Sequence, residues 1–216
     1  MKKILFFGDS ITDAYRSRTD ESAIGVGYPT LVKADLSYEH PGEYEFVNRG
    51  ISGNRIVDLL ARLKSDCINL KPDYISILIG VNDVWHEIAH TNGVDAKRFE
   101  IVYDLIISQI KESLPNTEII LMEPFVLEGF NTCNTEEIPD RLNRFIVGVS
   151  ENGKAAQKIA LKYNLPFIKL QDKFNQLAQK APVSCWLADG VHPTTAGHKM
   201  IKQEWLKAFN SLSKAD

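Results

Sequence analysis

Four short polar blocks carry the residues of this chain that could do chemistry: Gly8-Asp9-Ser10, Asn48-Arg49-Gly50-Ile51-Ser52-Gly53-Asn54, Gly80-Val81-Asn82-Asp83 and Asp189-Gly190-Val191-His192-Pro193. A serine hydroxyl is a weak nucleophile until a base takes its proton. Histidine is the usual base, held in one tautomer by a carboxylate. Ser10 is the candidate nucleophile, His192 the candidate base and Asp189 its partner. The three-residue spacing of Asp189 and His192 lets a single turn join the two side chains. Pro193 biases His192 away from the α region and can open a following helix. Acyl transfer also needs donors aimed at the developing oxyanion. The Ser10 N–H, the Gly53 N–H and the Asn82 side-chain amide are candidates. Each block alone reads as turn chemistry, and Asn54 could simply cap a helix at Arg55.

The elements that must position these blocks can be read from hydrophobic period. Short apolar runs at Ile4–Phe7, Tyr44–Val47, Tyr74–Ile79, Glu118–Met122 and, more weakly, Pro166–Leu170 are the expected strands. The third is apolar at nearly every position, as in a strand buried on both faces of a parallel sheet. Helical stripes run through Ile56, Leu59, Leu60, Leu63 and Cys67, and through Phe99, Val102, Ile106 and Ile110. A third runs from Leu142 to Tyr163, weakened by Gly148 and Gly153, and a last links Ile201, Trp205, Ala208 and Leu212. Alternating strand and helix argue for an α/β protein with a mainly parallel sheet covered on both faces. In such sheets, sites collect beyond the carboxyl ends of the strands. The first three blocks follow the first three strands, and the fourth follows the fifth strand and a helix. The irregular stretch 124–139 is expected to form part of the rim. The length suits one domain over residues 1–216.

Ser10, Gly53, Asn82 and His192, in this order and in these blocks, resemble the GDSL or SGNH hydrolase family, and the blocks span most of the chain. The resemblance implies a flavodoxin-like three-layer α/β/α sandwich with a five-stranded sheet. It implies Ser10 as nucleophile, His192 as base and Asp189 as its orienting group. The Ser10 N–H, Gly53 N–H and Asn82 would form the oxyanion hole. No metal or cofactor is implied. The Gly-x-Ser-x-Gly elbow of ordinary lipases is absent, since Gly8-Asp9-Ser10-Ile11-Thr12 lacks the second glycine. The blocks look most like those of carbohydrate acetylesterases, which implies a small acetylated sugar as substrate. A lipase or lysophospholipase, an acyl thioesterase and a non-catalytic carbohydrate-binding relative are the alternatives. Asp9, Arg55, Trp85 and Trp186 are the expected substrate contacts, because aromatic faces and fork-like donors suit sugar rings. Asp9 and Asp13 are also expected to bond backbone at the turn.

Composition narrows the partners. With net charge −3 and no basic block, nucleic acid is not expected. No apolar run reaches the length of a membrane span, so no membrane partner is expected. The apolar run after Met1-Lys2-Lys3 is too short for a signal peptide, and a cytoplasmic location is expected. Cys67, Cys133 and Cys185 form no CxxC pair, and His40, His86 and His90 lack ligand spacing, so neither disulfide framework nor metal site is expected. Ser52 is a rival serine that no block requires. Asp83 is expected to hold its loop, and His198 to be a surface residue of the last helix.

Overall fold

The computed structural model describes residues 1–212. Five strands build one sheet: β1 (Lys2–Gly8), β2 (Tyr44–Gly50), β3 (Tyr74–Leu78), β4 (Glu118–Met122) and β5 (Phe167–Ile168). Their order is β2-β1-β3-β4-β5, and every pairing is parallel. This is the flavodoxin-like order, with its topological switch between β1 and β3. The register sets Gly8 opposite both Gly50 and Leu78. The chain therefore leaves three adjacent strands at one level, and the first three polar blocks share one rim.

Both faces of the sheet are buried. Ile4 and Phe6 of β1 join one core with Tyr28, Val32, Trp205 and Phe209. Leu5 and Phe7 join the other with Ile75, Ile77, Ile106 and Ile159. This alternation is the period-two pattern of a strand with helices above and below. The helices are α1 (Ser10–Asp13), α2 (Tyr28–Glu39), α3 (Ile56–Ala61), α4 (Leu63–Asp66), α5 (Val81–His90), α6 (Ala96–Ser113), α7 (Arg141–Lys162), α8 (Gln171–Ala178) and α9 (Thr195–Leu212).

Several boundaries depart from the sequence reading. β2 runs on to Gly50, so Asn48 and Arg49 lie in the strand rather than in a loop after it. The helix expected over residues 56–67 breaks at Arg62, whose guanidinium turns back to the Arg49 and Gly8 carbonyls at 2.7 and 3.0 Å. Gly148 and Gly153 do not interrupt α7. A Cβ on Gly148 would sit 2.8 Å from a Val84 methyl, so this glycine is what lets α7 close on α5. α2 has no counterpart among the expected helices; its Pro29 sits in the first turn, where a missing N–H costs nothing. Asn82 and Asp83 form the first turn of α5 rather than a free turn.

Candidate active site

β1 ends at Gly8 and the chain turns directly into α1. Asp9 caps that helix, its Oδ1 accepting from the Ile11 N–H at 2.9 Å. Ser10 is thereby held as the first helical residue, at the level of the sheet rim. Its Oγ lies 2.9 Å from His192 Nε2. On the other side of the ring, His192 Nδ1 lies 2.7 Å from Asp189 Oδ2. The Asp189 carboxylate also accepts the Val191 and His192 N–H groups at 2.9 and 2.8 Å. Asn131 Nδ2 donates to Asp189 Oδ2 at 2.8 Å. Nothing in the sequence singles out Asn131. It lies in the irregular stretch 124–139, where no periodicity marks one residue over another.

These contacts set the protonation states. Burial acts most strongly on Asp189 and would raise its pKa. The bonds from the His192 side chain and from the His192 and Val191 backbone outweigh it, and the carboxyl is held well below the usual range. His192 is shifted upward, first by its bond to Asp189, with burial opposing. The pair is therefore a charge-stabilised acceptor for a proton arriving at Nε2.

The groups expected to receive an oxyanion are held by a separate set of bonds. Gly53 lies in the loop after β2 with φ +82°, a left-handed conformation that favours glycine. Asn82 is 7 % exposed and donates one amide hydrogen to the Asn54 carbonyl at 3.1 Å, which leaves the second for a ligand. Asp83 accepts the Ile56 N–H at 3.0 Å and ties the start of α5 to the start of α3. Asp13 accepts from both the Ser52 N–H and hydroxyl at 3.1 Å, joining α1 to the Gly53 loop. Ser52 is engaged in that bond rather than with a base. Asn48, buried in β2, donates to the Thr12 and Ile24 carbonyls at 2.7 and 2.8 Å. These clamps fix the loop positions, and two of their members, Asp13 and Ser52, also line the cleft.

The cleft over Ser10 encloses about 650 Å³ and is lined by Tyr15, Arg16, Arg18, Ser52, His192 and Thr194 among others. None of the four expected substrate contacts lines it. Asp9 is 1 % exposed beside Ser10, and its Oδ2 has no hydrogen-bond partner. Burial, the dominant influence, pushes its pKa up to about 7. The Arg55 guanidinium is taken up by Asp58 and the Asn92 carbonyl. Trp85 packs edge-on against Phe145 at 5.7 Å and reaches the site only from the side, 6.1 Å from the His192 ring. Trp186 is half-buried and donates to the Ala181 carbonyl at 3.4 Å. His198 departs furthest from expectation. It is buried, accepts the Tyr28 N–H on Nδ1 at 3.1 Å and lines the cleft beside His192. Burial first, then the nearby His192 charge, push its pKa down to about 4, so it is neutral at pH 7.

Among the described residues no group of three or more His, Cys, Asp or Glu side chains is arranged to hold a metal ion, and no helix is long and apolar enough to cross a membrane.

This rim can be set beside known proteins. Residues 6–200 match the GDSL-like Lipase/Acylhydrolase family. The chain is 34% identical over 215 residues to an acetylxylan esterase of Geobacillus stearothermophilus, covering 95% of this chain and 93% of the relative. The crystal structure of the acetylxylan esterase Axe2 from that organism superposes with a TM-score of 0.82 at 33% identity, covering 96% of this chain and 93% of that one. Solved forms of Axe2 include catalytic mutants in which a serine or an aspartate was changed to alanine. A GDSL-like lipase from Parabacteroides merdae superposes with a TM-score of 0.85 at 34% identity, over 96% and 94% of the two chains. An α/β fold of this order and similarity of this extent define a carboxylic ester hydrolase. The chain belongs to the GDSL-like lipase/acylhydrolase family.

Proposed function

We propose that this protein is a serine esterase that removes acetyl groups from carbohydrate hydroxyls. The observation that carries the mechanism is the relay from Ser10 Oγ to His192 Nε2 at 2.9 Å and from His192 Nδ1 to Asp189 Oδ2 at 2.7 Å. Ser10 Oγ attacks the acetyl carbonyl while its proton passes to His192 Nε2. The imidazolium that forms is stabilised by Asp189. Negative charge on the carbonyl oxygen falls to the Ser10 N–H, the Gly53 N–H and the second Asn82 amide hydrogen. His192 then returns the proton to the sugar oxygen as the C–O bond breaks, leaving acetyl-Ser10. A water that loses its proton to His192 attacks this ester, His192 returns that proton to Ser10 Oγ as the acyl C–O bond breaks, and acetate and free Ser10 result.

Two features support a sugar ester. The relative at 34% identity is an acetylxylan esterase. The cleft sets Arg16, Arg18, Ser52, Thr194 and Thr195, which can bond sugar hydroxyls, among apolar residues such as Val26, Ala188 and Pro193. The test combines Ser10→Ala with acetate release from acetylated xylo-oligosaccharides and with 4-nitrophenyl esters of increasing chain length. Loss of turnover by at least about 10⁴-fold in the variant is expected, with acetate preferred over octanoate. Full activity in Ser10→Ala removes the assignment of the nucleophile. Clear preference for octanoate or an acyl thioester selects the lipase or thioesterase reading instead.

A further inference from the structure

Four arginines gather around the end of β2, and three carboxylates pair with them. Arg18 Nη2 lies 2.5 Å from Asp13 Oδ2, Arg49 bonds both oxygens of Glu21 at 2.6 and 2.9 Å, and Arg62 reaches Asp66 at 3.0 Å. Arg16 is the fourth, and it has no ion pair among the described residues. Its Nε donates to the Gly50 carbonyl at 2.7 Å and its Nη1 to the Ser17 carbonyl at 3.3 Å. Its Nη2 makes no hydrogen bond with the described residues. Asp13 lies near enough to act on it through charge, but its Oδ2 is taken by Arg18 and both donors of Ser52, and no direct bond joins Asp13 to Arg16. The guanidinium is part-buried and lines the same cleft as Ser10 and His192, with Arg18 beside it on the same wall. Two carbonyl bonds fix the plane of the fork, which leaves donors at its far end for a ligand. A fixed guanidinium with no carboxylate bonded directly to it, facing a cleft, is matched by a carboxylate, whose two oxygens fit the fork.

We infer that Arg16, assisted by Arg18, forms a carboxylate subsite in the Ser10 cleft, so that this esterase prefers acetylated oligosaccharides bearing an acidic sugar. This rests on the acetyl-carbohydrate reading above and sharpens its substrate class. The anionic sugar docks on the arginine wall and presents its own acetyl group, or its neighbour's, to Ser10. Without the carboxylate, the arginines stay hydrated and the substrate gains only its neutral contacts.

The experiment compares kcat/KM for two acetylated xylo-oligosaccharides, one neutral and one carrying a glucuronic acid branch. It uses the wild-type protein, Arg16→Gln and Arg16→Lys. Wild type should favour the acidic substrate by roughly fivefold to tenfold, the scale of a charge-assisted hydrogen bond. The ratio should fall to about one in Arg16→Gln and be only partly kept in Arg16→Lys, whatever the absolute rates. A second reading needs no variant. The wild-type preference should shrink at high salt, and free glucuronate should inhibit competitively where glucose does not. Equal rates on the two sugars, with no selective inhibition by glucuronate, overturn the subsite and leave the acetylesterase reading standing. If neither sugar releases acetate while simple esters are cleaved, the carbohydrate reading itself fails and the subsite with it.

Discussion

His192 Nε2 lies 2.9 Å from Ser10 Oγ, although 182 residues separate the two in the chain. Nothing local produces this contact. Ser10 is fixed by the end of β1 and the Asp9 cap, whereas His192 is fixed by the Asp189 turn just before α9. The parallel sheet brings both to one rim. Because the contact joins two independently built turns, its two halves can be perturbed separately.

The Asp189 half predicts a pH signature. In the proposed mechanism His192 must be neutral to accept the Ser10 proton, and its pKa is raised above 6.5 chiefly by the bond to Asp189. Activity should therefore fall as pH drops through a midpoint above 6.5. Asp189→Asn removes the charge that raises this pKa, so the midpoint should move to lower pH. The rate on the plateau should also fall by about 10³–10⁴-fold, because the amide no longer selects the productive tautomer. Plots of kcat/KM against pH for both proteins decide this. An unmoved midpoint contradicts the role given to Asp189.

Asn82 provides the test of the oxyanion assignment. Its amide is tethered to the Asn54 carbonyl at 3.1 Å, so the side chain is preset rather than recruited by substrate. Asn82→Ala should lower kcat by about 10²–10³-fold with KM changed little, since the bond it would lose forms with the transition-state oxygen. A rise in KM alone would make Asn82 a ground-state contact. Thermal unfolding of the variant reports separately on the lost tether.

The placement of the polar blocks at one rim is legible in the sequence, and the misreadings have physical causes. The expected limits of β4 match the observed ones because all but its first residue are buried and apolar. The apolar run at β5 overstates that strand, since only Phe167 and Ile168 pair with β4. The polar blocks can be placed at strand ends because glycines and small polar residues interrupt apolar runs abruptly. The cleft wall is not legible: Arg16 and Arg18 lie between α1 and α2, in a stretch without period. Asp9 misleads because its type suggests a ligand contact, whereas its cap bond and burial turn it inward. A signal for His198 does exist, since it recurs with Ile201 and Trp205 at i+3 and i+7 and so shares the buried face of α9.

The buried Asp9 carboxyl should make stability fall with rising pH. Its pKa rises from 3.8 to about 7 on folding. The fold thus favours the protonated acid, and wild type loses stability as pH rises from near 4 through 7. The amide of the Asp9→Asn variant carries no such charge at any pH. The stability difference, Asp9→Asn minus wild type, should climb across this window by an amount on the order of 4 kcal/mol. Urea denaturation at a series of pH values measures the climb. A difference independent of pH would mean that Asp9 ionises freely in the folded protein.

His198 should act in the opposite sense. Its Nδ1 accepts the Tyr28 N–H at 3.1 Å at the start of α2, and its ring stacks on Tyr28 with centroids 6.4 Å apart. The accepting nitrogen must be free of a proton, so this arrangement requires the neutral ring. Its pKa falls from 6.5 to about 4 on folding, so the neutral form is favoured in the folded state. The resulting stability is complete above about pH 6.5 and is lost as pH falls through 4, by roughly 3 kcal/mol in all. His198→Gln keeps an acceptor for the Tyr28 N–H but cannot be protonated. Comparing urea midpoints of the two proteins at about pH 7.5 and about pH 4.5 isolates this residue from the Asp189–His192 pair, which both retain. The stability difference, His198→Gln minus wild type, should rise as pH falls over that interval, since Asp9 and the other titrating groups are common to both. A difference that does not change with pH would show that His198 carries no acid-sensitive contact between α2 and α9.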